Sequence, residues 1–495
     1  MSQEVSRRQF LSASFGGLVG SVMLTERSFA DPPPFFPQVK TAPTSTATTI
    51  RATKRTLEIN GKAADVMGLL QPNGTQGISS VVNDPFRVTL DNQLPVPTAI
   101  HWHGLHPPNN QDGVPGVTQL VIRPGASTSY NFPIQPAGTH WMHSHQALQE
   151  AFLLAAPLIV RDPADGARDE QEIILLLSDF SFTRPKEIYA KLRQGPKGMS
   201  AATPGQRPQD ATSMKAAGGK PDANDVNYDA YLANDRTLLD PEVVKVEKGG
   251  RVRLRIINGS SGTNFFIDLG SLTGELIATD GMPVKPVRGN RFPLAIAQRI
   301  DVNARLPVDG GAFPILALRE LAAEQTGIVL ATSGAKVTRQ PVTGSSPTGL
   351  LTLGLESELV AVNPLEAKPA DQTSVLRLQG NMSRYEWLIN GVAFDVSNPG
   401  SQKAQVQVKS GQRVALKFVN ETPMSHPMHL HGHSFEVVAI NDRRFTGPVR
   451  DTVLVPGRTS VTVEFDANNP GLWYVHCHIL WHLAAGMAAL VQYEV

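Results

Sequence analysis

One strand-like segment recurs three times along this chain, and that recurrence limits the architectures open to it. The copies are residues 83–92 (NDPFRVTLDN), 249–258 (GGRVRLRIIN) and 411–420 (GQRVALKFVN). Each opens at a turn, alternates apolar with polar or basic positions, and closes on asparagine. Alternation with a period of two reads as a strand, not a helix. The closing asparagines stand 166 and then 162 residues apart, the span of one β domain with insertions. A chain of 495 residues holds three such modules, and its 42 glycines and 38 prolines cut it into short segments that suit an all-β architecture.

The 13 histidines are confined to four short clusters: His101, His103 and His106; His140, His143 and His145; His426, His429, His431 and His433; His476, His478 and His482. Residues 146–425 contain none. In a strand, residues i and i+2 share a face, so each His-x-His pair presents two imidazoles side by side. Aligned on the closing asparagines, His101 matches His429 and His103 matches His431, nine and eleven residues on. Counted from Gly138 and Gly471, His143 and His145 match His476 and His478. The first and third modules therefore carry the same four imidazoles, and eight such groups are most economically gathered in one cluster between them. Module two would let the chain fold back so that one meets three.

Between His476 and His478 stands Cys477, the only cysteine, so no intramolecular disulfide is possible. A thiolate, imidazoles and a weak thioether are the donors of a blue-copper electron-transfer site. His426, Cys477, His482 and Met487 fall opposite Thr98, Ser144, Gln149 and Leu154 in module one. Module one thus reads as the same unit with that site emptied. In module two, Asn264, Ile267 and Leu269 replace His426, His429 and His431, which reads as a spacer without copper ligands.

Through His-Trp-His-Gly, His-Ser-His, His-Pro-x-His-Leu-His-Gly and His-Cys-His-x-x-x-His-x-x-x-x-Met, in that order, the chain resembles the multicopper oxidases, the laccases and cuprous oxidases. The resemblance implies an all-β fold of three cupredoxin-like Greek-key barrels and four coppers per chain. It assigns type 1 copper to His426, Cys477, His482 and axial Met487, and type 2 copper to His101 and His429. One type 3 copper would take His103, His143 and His478, the other His145, His431 and His476. His106, His140 and His433 are left as structural residues. Asp112 matches a family aspartate that orients water at the trinuclear cluster. The family often has an acid where this chain has Leu480 or Leu483, which leaves Glu150 as a substitute proton donor.

The expected domains are 45–165, 170–335 and 370–495, with 334–372 a linker and 194–225 a loop rich in Gly, Pro, Ala and Lys. Residues 1–30 read as a twin-arginine leader, with Arg7 and Arg8 before an apolar run and Ala30 at the end. This predicts export of the folded protein by the twin-arginine machinery to the periplasm or beyond. No later apolar run is long enough for a membrane span. Lys plus Arg number 45 and Asp plus Glu 44, so there is no basic field for nucleic acid. The expected partners are O2 and a small-molecule or metal-ion electron donor. The leading reading is a laccase-like oxidase of phenols or aromatic amines. A cuprous or other metal-ion oxidase for copper tolerance is the second, although the 11 methionines are dispersed. A non-catalytic copper-binding or scaffold protein is the alternative from another class.

Overall fold

The computed structural model describes residues 47–195 and 224–494. The leader and nearly all of the 194–225 loop lie outside the described residues. The strands of the described part form six sheets, two for each repeat. The repeated segment is the strand Val88–Asn92 in the first module, Arg251–Asn258 in the second and Arg413–Asn420 in the third. Each runs parallel to the first strand of one of its module's two sheets: Thr48–Ile59, Gln171–Phe180 and Gln372–Asn381. On its other side each is antiparallel to Ser127–Tyr130, Arg299–Arg305 or Ser460–Asp466. A parallel neighbour cannot be reached by a hairpin, so each module needs a crossover between its two sheets.

The closing asparagine has one task in all three. The side chain of Asn92 accepts from the Leu94 N–H at 3.0 Å and donates to the carbonyls of Val96 and Ile122. Asn258 does the same with Ser260, Thr263 and Leu294, and Asn420 with Thr422, Met424 and Val455. All three are buried. The position needs an acceptor and two donors on one short side chain, which an amide supplies and a carboxylate does not.

Each module has its own apolar core. Ile50, Leu90, Trp102 and Leu158 belong to the first, and Leu254, Ile267, Val302 and Ile315 to the second. The third, around Leu416, Phe418 and Trp473, also takes in Trp141, Leu176 and Ile257 from the other two. The helix Pro185–Arg193 leans on the third module, where the Tyr189 hydroxyl donates to the Ala484 carbonyl at 2.8 Å. The expected linker is an ordered strap: it buries Leu351, forms the short helix Gly354–Glu358, and bridges Ala361 to Val284. No helix among the described residues is long and apolar enough to cross a membrane.

Candidate metal centres

Strand alternation sorts the predicted residues into two places. The strand Ile100–His103 pairs antiparallel with Gly138–Ser144, with His101 opposite His143. The strand His426–Leu430 pairs with Leu472–Cys477 in the same way, with His429 opposite His476 and Met428 opposite Cys477. Ile100 and Trp102 turn into the first core, and Met428, Leu430, Val475 and Cys477 into the third. His101, His103, His429, His431 and His476, at the intervening positions, face the boundary between the modules. Cys477 thus looks inward while its two neighbours look outward, because the strand period is two.

At that boundary the imidazoles of both modules interleave. His101 stacks on His431 at 3.8 Å between ring centres, and His103 on His429 at 3.7 Å. The Nε2 atoms of His431 and His476 are 3.0 Å apart, those of His143 and His478 3.3 Å, and those of His101 and His429 3.4 Å. Donor atoms converge in three triads: His101, His103 and His429; His103, His143 and His478; His145, His431 and His476. His103 Nδ1 and His145 Nε2 are buried with no hydrogen-bond partner. Nitrogen atoms brought together without donors between them suit a cation, and an all-imidazole donor set suits copper, zinc or iron.

The other ring nitrogens are held from outside. Nδ1 of His101 donates to the Asp112 carbonyl and Nδ1 of His431 to Asp112 Oδ2, each at 2.9 Å. His429 Nδ1 donates to the Asp451 carbonyl at 2.8 Å, and His103 Nε2 to Asp451 Oδ1 at 3.0 Å. Glu150 Oε2 lies 2.8 Å from His143 Nδ1. Such contacts set the tautomer and aim the free nitrogen inward. Burial, followed by repulsion from neighbouring imidazoles, holds His143, His145, His431 and His478 well below the usual histidine range, so the rings are neutral and able to ligate. Burial alone would raise Asp451, but Arg299 and His103 hold it well below the usual carboxylate range.

Asp112 is fully buried and holds two of the clustered histidines. Glu150 is also buried, on the short turn Glu150–Phe152, and burial with Asp179 nearby pushes its carboxyl well up. Leu480 and Leu483, at positions where an acid is expected from the resemblance, line the same small cavity as Glu150, with His143, His476 and His478. Glu150 is the carboxylate that lines this cavity.

Inside the third module, Cys477 Sγ lies 3.7 Å from Nδ1 of both His426 and His482, and these nitrogens are 3.1 Å apart. Met487 is buried beside them, and its carbonyl accepts from the Cys477 N–H at 3.0 Å. Burial pushes the free thiol up, so a metal cation is what would make it a thiolate. In the first module the matching positions form a polar triad: Gln149 Oε1 accepts from Thr98 Oγ1 at 2.7 Å and from Ser144 Oγ at 2.8 Å, with Leu154 in the core. Hydrogen bonds fill the space that the third module gives to sulfur and imidazole. In the second, Asn264 donates to Glu320 instead.

His433 Nδ1 donates to the His431 carbonyl and its Nε2 meets the Tyr493 hydroxyl, His106 meets Ser434, and His140 Nε2 donates to the Pro136 carbonyl. Burial lowers His106 to about 4, and His140 and His433 to about 3. Sequence reasoning missed Asp451, Arg299 and Asp225. Asp225 Oδ2 accepts from His482 Nε2 at 2.8 Å and from the Tyr385 hydroxyl, while Trp387 packs on the His482 ring at 3.9 Å. None of the three belongs to a spaced motif.

Two-sheet modules with a thiol-imidazole site in one and an imidazole cluster between two define a copper protein built for electron transfer. Models of three multicopper oxidase domains match residues 51–165, 171–335 and 367–495. Multicopper oxidase MmcO of Mycobacterium tuberculosis is 32% identical over 84% of this chain and 81% of its own length. Laccase-1 of Thanatephorus cucumeris is 27% identical over 88% of this chain and 90% of its own length. Among solved structures, the laccase from Botrytis aclada covers 90% of this chain and 88% of its own, with a TM-score of 0.74 at 24% identity. The chain belongs to the multicopper oxidase family. It is an all-β, copper-dependent oxidoreductase of three cupredoxin-like domains that uses O2 as acceptor and a reducing substrate.

Proposed function

We propose that this protein is a laccase-like oxidase, taking four electrons one at a time from phenols or aromatic amines and reducing O2 to two waters. Its units are residues 45–165, 170–335 and 370–495. The observation that carries the reading is the setting of His482: Trp387 packs on the ring and the Asp225 carboxylate takes its outward N–H. A phenol loses a proton with its electron, and a carboxylate at the edge of the ligating ring can accept it.

Four coppers fit the donor sets. His426, Cys477, His482 and Met487 would hold type 1 copper, and His101 and His429 type 2. His103, His143 and His478 would hold one type 3 ion, and His145, His431 and His476 the other. When bound, the coppers supply one-electron oxidation at one site and four-electron reduction of O2 at the other. The chain itself supplies the rest. Cys477 is covalently continuous with His476 and His478, which gives a short path between the sites. Asp112 holds the Nδ1 protons of His101 and His431. Glu150 is the carboxylate of the cavity beside His143 and stands in for the acid absent at Leu480 and Leu483. The arginine pair and apolar run in residues 1–30 support export to the periplasm by the twin-arginine route.

A second reading, oxidation of Cu(I) or another metal ion, draws on the same Asp225, since a carboxylate also attracts a cation. Oxygen uptake by the copper-loaded protein, with a phenol and with Cu(I) in parallel, separates them. Faster uptake with the phenol is expected; faster uptake with Cu(I) refutes the laccase-like reading. The visible band near type 1 copper should vanish in Cys477→Ser, and a mutant that stayed blue would sink the copper assignment.

A further inference from the structure

The second domain carries none of the clustered histidines, yet one of its side chains reaches the cluster. Arg299, at the start of the strand Arg299–Arg305, is fully buried. Its Nη1 and Nη2 grip the two carboxylate oxygens of Asp451 at 2.7 and 2.5 Å. The remaining N–H groups are also taken: Nε by the Thr139 carbonyl at 3.0 Å, Nη1 by Ala297 at 3.2 Å and Nη2 by Asp280 at 3.1 Å. All five donors of the guanidinium are engaged, which fixes its plane and with it the plane of the carboxylate.

Asp451 passes that constraint on. Its Oδ1 accepts from His103 Nε2 at 3.0 Å and from Thr452 Oγ1 at 2.8 Å, and its carbonyl accepts from His429 Nδ1 at 2.8 Å. His103 is a member of two of the three donor triads, and its buried Nδ1 has no partner. The His-Trp-His-Gly motif is shaped around this contact. A Cβ on Gly104 would stand 2.4 Å from Arg299 Nη2 and 2.9 Å from Asp451 Oδ2. Three domains meet here: Arg299 from the second, His103 and Thr139 from the first, Asp451 and His429 from the third.

We propose that Arg299 is a positioning residue for the interdomain copper centre, locking Asp451 so that His103 and His429 present their free nitrogens to the metal. The second domain then does more than space the other two. A lysine at 299 keeps the charge but cannot span both oxygens of Asp451. This inference rests on the copper assignment proposed above.

The test compares copper-loaded wild type with Arg299→Lys, Asp451→Asn and Arg255→Lys. Arg255 is an equally buried control at the boundary of domains one and two, bonded to Thr139 and Asp301 but to none of the histidines. Copper per chain, the blue band and the electron paramagnetic resonance spectrum are read for each. Arg299→Lys and Asp451→Asn are expected to keep the blue band, alter the type 2 hyperfine splitting, and hold the interdomain copper 10–100-fold more weakly, by about the usual effect of removing an outer partner of a ligand. Arg255→Lys should match wild type. A wild-type spectrum and copper content in Arg299→Lys would overturn the proposal. So would an equal change in Arg255→Lys, or loss of the blue band along with the other signals, which marks general support of the fold. Wild type without interdomain copper would instead sink the ligand assignment.

Discussion

Gly104→Ala is the sharpest probe of how the centre is packed. Gly104 has a φ of +91°, and an added Cβ would lie 2.4 Å from both Arg299 Nη2 and His140 Nδ1. Two costs combine. A left-handed conformation costs an alanine about 1–2 kcal/mol, and overpacking a filled interior typically costs about 1–3 kcal/mol. Gly61 separates them. It sits at φ +81° in the Asn60–Gly61 turn, with nothing within 4 Å of its Cβ position. Gly61→Ala therefore carries the backbone cost alone. The expected difference between the two variants is about 1–3 kcal/mol, a gap of roughly 2–12 °C in unfolding midpoint at about 2–4 °C per kcal/mol. Differential scanning calorimetry of the copper-free proteins measures it without interference from bound metal. Midpoints that fall equally, within about 1 °C, would mean that Gly104 is needed only for its backbone and that the close approach to Arg299 and Asp451 constrains nothing.

Three other outcomes are expected. Gln149→Leu leaves Thr98, Ser144 and the Pro97 carbonyl without this partner, so stability should fall by about 2–6 kcal/mol at roughly 1–3 kcal/mol for each of the two buried hydroxyls; thermal unfolding and absorption should show this with the blue band and copper content unchanged. Glu150→Gln should slow steady-state O2 uptake while leaving the blue band in place, and uptake at the wild-type rate would remove Glu150 from the reaction. Copper removal by a chelator should lower the unfolding midpoint, by about 4 kcal/mol of stability relative to protein held at a thousand times the dissociation constant; a midpoint that ignores copper would show that these sites do not bind it in the folded state.

The repeat, the shared face of each His-x-His pair and the histidine clusters were all legible in the sequence, because each depends on local geometry. Period-two alternation places His101 with His103, and His429 with His431, on one face whatever surrounds them. It also turns Cys477 to the face opposite His476. The alignment on asparagine worked because Asn92, Asn258 and Asn420 each close the same turn with the same three hydrogen bonds. A motif that must repeat its backbone chemistry leaves a regular mark in the chain.

Tertiary structure alone decided the partners of those histidines. His103 meets Asp451 across 348 positions, and His431 meets Asp112 across 319. Asp112 carried a family signal, whereas Asp451, Arg299 and Asp225 are single charged residues among many, and nothing local distinguishes a buried clamp from a solvated surface charge. Glu150 could be nominated from its place after His-Ser-His, but the cavity it shares with Leu480 and Leu483 exists only once the first and third domains meet. Donor type and strand face are properties of a short segment. The orientation of an imidazole is set by what packs behind it, and in this protein that comes from another domain.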